Sequence, residues 1–75
     1  MTLTVNGHLE DVALSRRELD VLAVIADLYS TEEAALILHI TPNTVKTHLK
    51  TIYQKLAVGS RGEAVRRARS LGLME

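Results

Sequence analysis

Four helix starts written in one local grammar constrain this chain more than anything else in it. Ser15-Arg16-Arg17-Glu18, Ser30-Thr31-Glu32-Glu33 and Ser60-Arg61-Gly62-Glu63 each place a glutamate three residues after a serine. In such a capping box the hydroxyl accepts from the third helical amide while the carboxylate reaches back to the serine amide. Thr41-Pro42 marks the fourth start. Threonine can hold a first-turn amide, and proline at the first helical position lacks only an N–H that would have had no helical partner. Starts this close together predict short helices from Arg16 to about Leu28, from Thr31 to about Leu38, from Pro42 to Leu56, and from Arg61 to Leu71, where Gly72 stops the last one. The expected fold is all-α with four helices. The first thirteen residues stand apart: Leu3, Val5, Leu9 and Val12 flank an Asn6-Gly7 turn signal, which predicts a short hairpin or an arm before a domain spanning residues 14–75.

The third helix divides most cleanly into two faces. At about 100° per residue, Val45, Leu49, Ile52 and Leu56 fall on one stripe, and Asn43, Lys46, Thr47, Lys50 and Gln54 spread over the other. One face packs and the other is free to bind. The second helix offers Ala34, Ala35 and Leu38 for burial, and His39-Ile40-Thr41 makes a tight turn into the third. Two helices so joined, the second presenting polar side chains outward, are the pattern of a helix-turn-helix. The first helix has Val21, Leu22, Ile25 and Ala26 as an inner face. Leu19, Ala23, Val24 and Leu28 leave its other side apolar too, for neighbouring helices, another domain or a second subunit to cover. In the fourth helix Ala64, Val65, Ala68 and Leu71 share a side.

Seventy-five residues without cysteine make one domain with a thin core, no disulfide framework and no thiolate metal site. No buried enzyme cleft fits in so small a chain, and His8, His39 and His48 show no ligand spacing. Catalysis, a metal and a cofactor are therefore not expected. No apolar run is long enough to span a membrane, which predicts a cytoplasmic protein. The net charge of zero hides a split. Residues 1–40 carry seven carboxylates against two arginines, a net of −5, whereas residues 41–75 carry seven Lys and Arg against two glutamates, a net of +5. A basic half that begins with the third helix suggests a polyanion as partner, and dimerisation would make up for weak binding by a single neutral domain.

Three fragments in fixed order carry a resemblance. They are Leu14-Ser15-x-Arg17-Glu18-x-x-Val21-Leu22, Glu33-x-Ala35-x-x-Leu38-x-Ile40, and Thr44-Val45-Lys46-x-His48-x-x-x-Ile52-x-x-Lys55-Leu56-x-Val58-x-x-Arg61-x-x-Ala64-Val65. Together they resemble the LuxR-type helix-turn-helix, the C-terminal DNA-binding domain of many bacterial transcription regulators, without a gap over residues 14–65. The resemblance implies a third helix that enters the major groove of double-stranded DNA. Base contacts then fall on Lys46, Thr47 and Lys50, and phosphate contacts on Ser30, Thr31, Thr44, His48 and Lys55. It further implies a homodimer contacting through Ala64, Val65 and Ala68 of the fourth helix, and RNA polymerase as a further partner.

The chain departs from the family pattern at three points. Leu28 stands where glycine is usual, which predicts a first helix that ends differently or runs longer. Glu32 stands where a basic residue is common and would repel a nearby phosphate. Ala34 replaces a larger aliphatic residue, implying a looser helix pair. Other readings remain open from the residues. A sigma-factor promoter-reading domain shares the first-helix opening and the Thr-Val-Lys stretch, but usually continues in a basic tail after the equivalent of Leu56. A winged helix would need a C-terminal hairpin. A dimerisation or protein-docking module with little DNA affinity would account for the acidic second helix.

Overall fold

All four hydroxyl-led starts open a helix in the computed structural model, which describes residues 13–74. The helices are α1 (Arg16–Ala26), α2 (Thr31–Leu38), α3 (Pro42–Leu56) and α4 (Arg61–Ser70). Ser15 and Ser30 close reciprocal capping boxes with Glu18 and Glu33, and Thr41 Oγ1 accepts from the Thr44 amide. The third box differs from expectation. Ser60 Oγ accepts from the Glu63 amide, but the Glu63 carboxylate reaches past Ser60 to the Gly59 amide at 2.9 Å. The extended backbone of Ser60 sits at φ −151°, against −69° at Ser15 and Ser30, and this different approach presents the Gly59 amide instead. The expected arm or hairpin of residues 1–13 lies outside the described residues except for exposed, non-helical Ala13.

α1 and α3 form the central pair, each packed on the other three helices, while α2 and α4 flank them without meeting. The core is the sum of four stripes: Val21, Leu22 and Ile25; Ala34 and Ala35; Val45, Leu49, Ile52 and Leu56; Ala64 and Ala68. Leu22, Ile25, Ile52 and Leu56 are the largest fully buried side chains, each stabilising the fold by roughly 1.5–3 kcal/mol. The flanking helices contribute mostly alanine, so they approach closely while α1 and α3 supply the volume. Ala34 is completely buried, so the short side chain serves as a contact surface for α2 and leaves no exposed step there. The apolar surplus of α1 splits in two: Leu19 and Val24 are half-buried, whereas Ala23 and Leu28 face solvent.

The helix ends hold most of the unexpected structure. α1 stops at Ala26, two residues before the predicted end, because Leu28 itself takes the left-handed conformation at φ 69° in place of the usual glycine. At the other three ends a left-handed residue is followed by an apolar one: His39 then Ile40, Ala57 then Val58, Gly72 then Leu73. In each case the amide of the apolar residue donates five residues back, to Ala35, Tyr53 and Ala68 carbonyls at 3.0, 3.0 and 2.9 Å. Ile40, Val58 and Leu73 also pack on the core. This is the Schellman closure, a local hydrogen bond joined to a hydrophobic contact. Arginines from other helices hold further terminal carbonyls. Arg17 donates to Leu38 O at 2.8 Å, Arg61 to Tyr29 O at 2.7 Å, and Arg67 to Leu56 O at 3.0 Å.

Candidate nucleic-acid interface

α3 is amphipathic enough to separate its two jobs completely. Val45 and Ile52 are wholly buried and Leu49 and Leu56 nearly so, which fixes the rotation of the helix about its axis. Asn43, Lys46, Thr47, Lys50 and Gln54 are then all exposed on the far side, with Thr44, His48 and Thr51 half-buried at its margins. Lys46 and Lys50 have no hydrogen-bond or ion-pair partner among the described residues. They stand one helical turn apart as two uncommitted cations on a rigid rod. Around them runs a series of hydroxyls already tied to the helix. Thr44 Oγ1 lies 2.9 Å from Thr41 Oγ1, Thr47 Oγ1 donates to Asn43 O at 3.1 Å, and Thr51 Oγ1 donates to Thr47 O at 3.3 Å.

The residues expected at phosphates fall into two groups. Ser30 and Thr31 sit at the start of α2, where amides without helical partners and the helix dipole favour an anion. Ser30 Oγ already accepts from the Glu33 amide, and Glu32 and Glu33 bring exposed carboxylates to the same turn. Thr44 and His48 lie on the edge of the α3 face, next to the free lysines.

Lys55 already has partners inside the domain. Its ammonium is 2.8 Å from Glu18 Oε1 and 3.1 Å from Ala13 O, tying the last turn of α3 to the first turn of α1. The Glu18 side chain is 7% exposed and that of Lys55 37%, so the carboxylate is the buried partner and the ammonium sits at the rim. A buried carboxylate keeps its charge only when it is paired, and Lys55 is therefore committed to Glu18. Burial pushes the Glu18 carboxyl up. The Lys55 ammonium and the Ser15 amide outweigh it and hold the group below its ordinary value of 4.5.

Two residues of the expected dimer surface lie inside the domain. Ala64 and Ala68 are fully buried inside the domain's own core, leaving Val65, half-buried, as the one member of that trio that still reaches the surface. Helical spacing gave them a shared face, but the thin core of so small a domain consumes it. A shallow apolar depression of about 400 Å³ does remain between α1 and α4, with Ile25, Ala26, Leu28 and Val65 at its floor and lip.

Two features escaped the sequence reading. The Glu18–Lys55 pair joins residues 37 apart, and a local capping signal explains Glu18 without hinting at its second partner. The roles of Arg17, Arg61 and Arg67 as clamps depend on carbonyls brought near by folding, so no spacing in the chain announces them.

Residues 12–68 match the family described as bacterial regulatory proteins, luxR family. The HTH-type transcriptional regulator MalT of Yersinia pestis (strain Pestoides F) is 43% identical over 58 residues, covering 77% of this chain and 6% of MalT. MalT of Yersinia pseudotuberculosis matches equally well. This chain thus spans only a small part of the relatives it matches. Among solved structures, the response regulator ChrA of a heme-sensing two-component system superposes with a TM-score of 0.81 at 42% identity, over 83% of this chain and 31% of ChrA. The transcription factor GerE gives 0.78 at 31% identity, over 83% of this chain and 92% of GerE.

Proposed function

The chain belongs to the luxR family of bacterial regulatory proteins and is a helix-turn-helix DNA-binding domain; from that premise we propose that it reads a specific sequence by laying the outer face of α3 in the major groove. The observation that carries this is the pair Lys46 and Lys50, exposed and unpaired among the described residues on a helix whose opposite face is locked in the core. Lysine ammonium groups donate to guanine O6 and N7, and Thr47 lies between them in sequence. Thr44 and His48 flank this face and meet phosphates, together with the Thr31 amide at the start of α2, the Ser30 amide being held by Glu33 Oε1 at 2.8 Å. Lys55 is left to its work with Glu18.

A chain of zero net charge gains affinity by binding as a homodimer on a two-fold site. Ala64 and Ala68 being spent, the contact between copies falls to Val65 and its surface neighbours. Beyond its first turn the exposed side of α2 fits a protein: Leu36, 78% exposed, and Ile37, 46% exposed, stand there one turn after Glu32 and Glu33. RNA polymerase is the partner that a transcription regulator in the cytoplasm would offer to that side. A fluorescence titration of a selected duplex at two ionic strengths tests the main reading. Affinity should fall as salt rises, because lysines at phosphates and bases displace condensed counterions. Binding that is absent, or indifferent to both salt and sequence, would leave the domain as a protein-docking module.

A further inference from the structure

The hydrogen bonds along α3 determine what its hydroxyls can offer a base, given the proposed docking of that face in the major groove. A threonine hydroxyl has one proton to donate and two lone pairs to accept with. The Thr47 proton goes to the Asn43 carbonyl, 3.1 Å away and one turn back, and Thr51 repeats the arrangement with the Thr47 carbonyl at 3.3 Å. Exposed Thr47 Oγ1 is left with lone pairs only. Lys46 and Lys50, on either side of it in sequence, can only donate. The start of the helix has the opposite polarity. Thr41 Oγ1 accepts from the Thr44 amide at 3.1 Å, and the two threonine hydroxyls share one of their two protons across 2.9 Å. Whichever of them donates, the other keeps a proton to direct outward.

We infer that Thr47 reads the major groove as a hydrogen-bond acceptor, selecting the exocyclic amino group of adenine (N6) or cytosine (N4) and disfavouring thymine O4 and guanine O6. Every base pair shows one amino and one keto group on its major-groove edge. Thr47 therefore distinguishes which strand carries the amino base, and leaves the choice between A·T and G·C to Lys46 and Lys50. A keto oxygen opposite Thr47 sets two acceptors against each other unless the hydroxyl gives up its bond to Asn43. The restriction comes from the backbone one turn away, and a free threonine would not show it.

Selection of bound duplexes from a randomised pool, using the full chain with wild-type sequence, Thr47→Val and Thr47→Ser, tests the inference. The wild-type site should contain a position held as A or C on one strand. Thr47→Ser, which keeps the hydroxyl, should retain that preference, and Thr47→Val should lose it. The valine variant should also bind the selected site roughly three- to tenfold more weakly, as expected for one neutral hydrogen bond. A position held as G or T that only Thr47→Val relaxes would overturn the acceptor role, and so would an unchanged preference at every position in Thr47→Val. Failure of the underlying reading has a different signature: no sequence is enriched by the wild type, and Lys50→Ala binds every duplex as the wild type does.

Discussion

The two ends of α3 carry lysines with the same charge and opposite fates. In its first half and at its middle, Lys46 and Lys50 point away from the domain with no partner among the described residues, whereas at its last turn Lys55 closes on Glu18 and the Ala13 carbonyl. Sequence position and composition treat all three alike, as parts of one basic half. Burial on the opposite helix separates them: Glu18 lies in the α1 turn that packs under Lys55, and among the described residues no carboxylate pairs with the other two. A lysine's role is thus set by the groups its neighbours bury. The basic half of the chain consists of structural ties and a smaller number of free probes.

The largest effect should come from the stripe that both ends share. Ile52→Ala removes a fully buried side chain from the centre of α3 and should cost about 2–5 kcal/mol in urea unfolding, a large share of what so small a domain has. A loss below 1 kcal/mol would mean that the two faces of α3 are not held apart by the core at all. Next, Lys55→Ala strands the Glu18 carboxylate, and the domain should lose about 1–3 kcal/mol of stability, less than for a wholly buried pair because the ammonium is partly solvated. DNA affinity measured well below the melting temperature should be nearly unchanged. Lys50→Ala should do the reverse, leaving unfolding within about 0.5 kcal/mol of wild type while costing about 1–3 kcal/mol at the selected site and relaxing its base preference. If Lys55→Ala weakens all duplexes and leaves stability intact, the contrast between the two ends disappears.

A smaller effect separates the ends by pH. Because Glu18 is held below its ordinary value of 4.5 in the folded state, its contribution is fully present above that pH. It is lost as pH falls through the lower folded value. Stability measured between neutral pH and pH 3 should fall on the acid side, and Glu18→Gln should flatten that part of the curve. The smallest expected change is a gain. Leu28 is left-handed and 89% exposed, so Leu28→Gly relieves backbone strain without emptying the core and should raise stability by about 0.5–1 kcal/mol in thermal unfolding. No gain, or a loss, would show that the exposed leucine is held by something other than its backbone.

The beginnings of the helices were legible in the sequence, as were the ends of α2 at Leu38 and α3 at Leu56, but the backbone conformations that close the ends were not, for a physical reason. A start is satisfied by side chains a few residues away, so Ser15 with Glu18 or Thr41 with Pro42 can be read directly. The ends use His39, Ala57 and Leu28 in a conformation for which glycine is the expected signal, and only Gly72 gives that signal. The outer face of α3 was equally legible, because the periodicity that buries Val45 and Ile52 also exposes Lys46 and Lys50. That Lys55 pairs with Glu18 and that Ala64 and Ala68 are buried was not legible, because a helical stripe shows which residues share a side without showing how much of that side the domain uses for itself. Glu32 remains where the sequence placed it, exposed at the α2 start.

The three arginine clamps bear on how the domain assembles. Each joins a helix to a carbonyl far along the chain, with separations of 21, 32 and 11 residues. The carbonyl at Leu38 acquires its guanidinium only when α1 has docked, and those at Tyr29 and Leu56 only when α4 has. The helix-turn-helix pair alone would be left with frayed ends, since the last turn of α3 is held by Glu18 of α1 and Arg67 of α4. Such wiring favours a single cooperative transition. Amide hydrogens near Tyr29, Leu38 and Leu56 would then exchange with solvent only when the whole domain opens, not by fraying one end at a time.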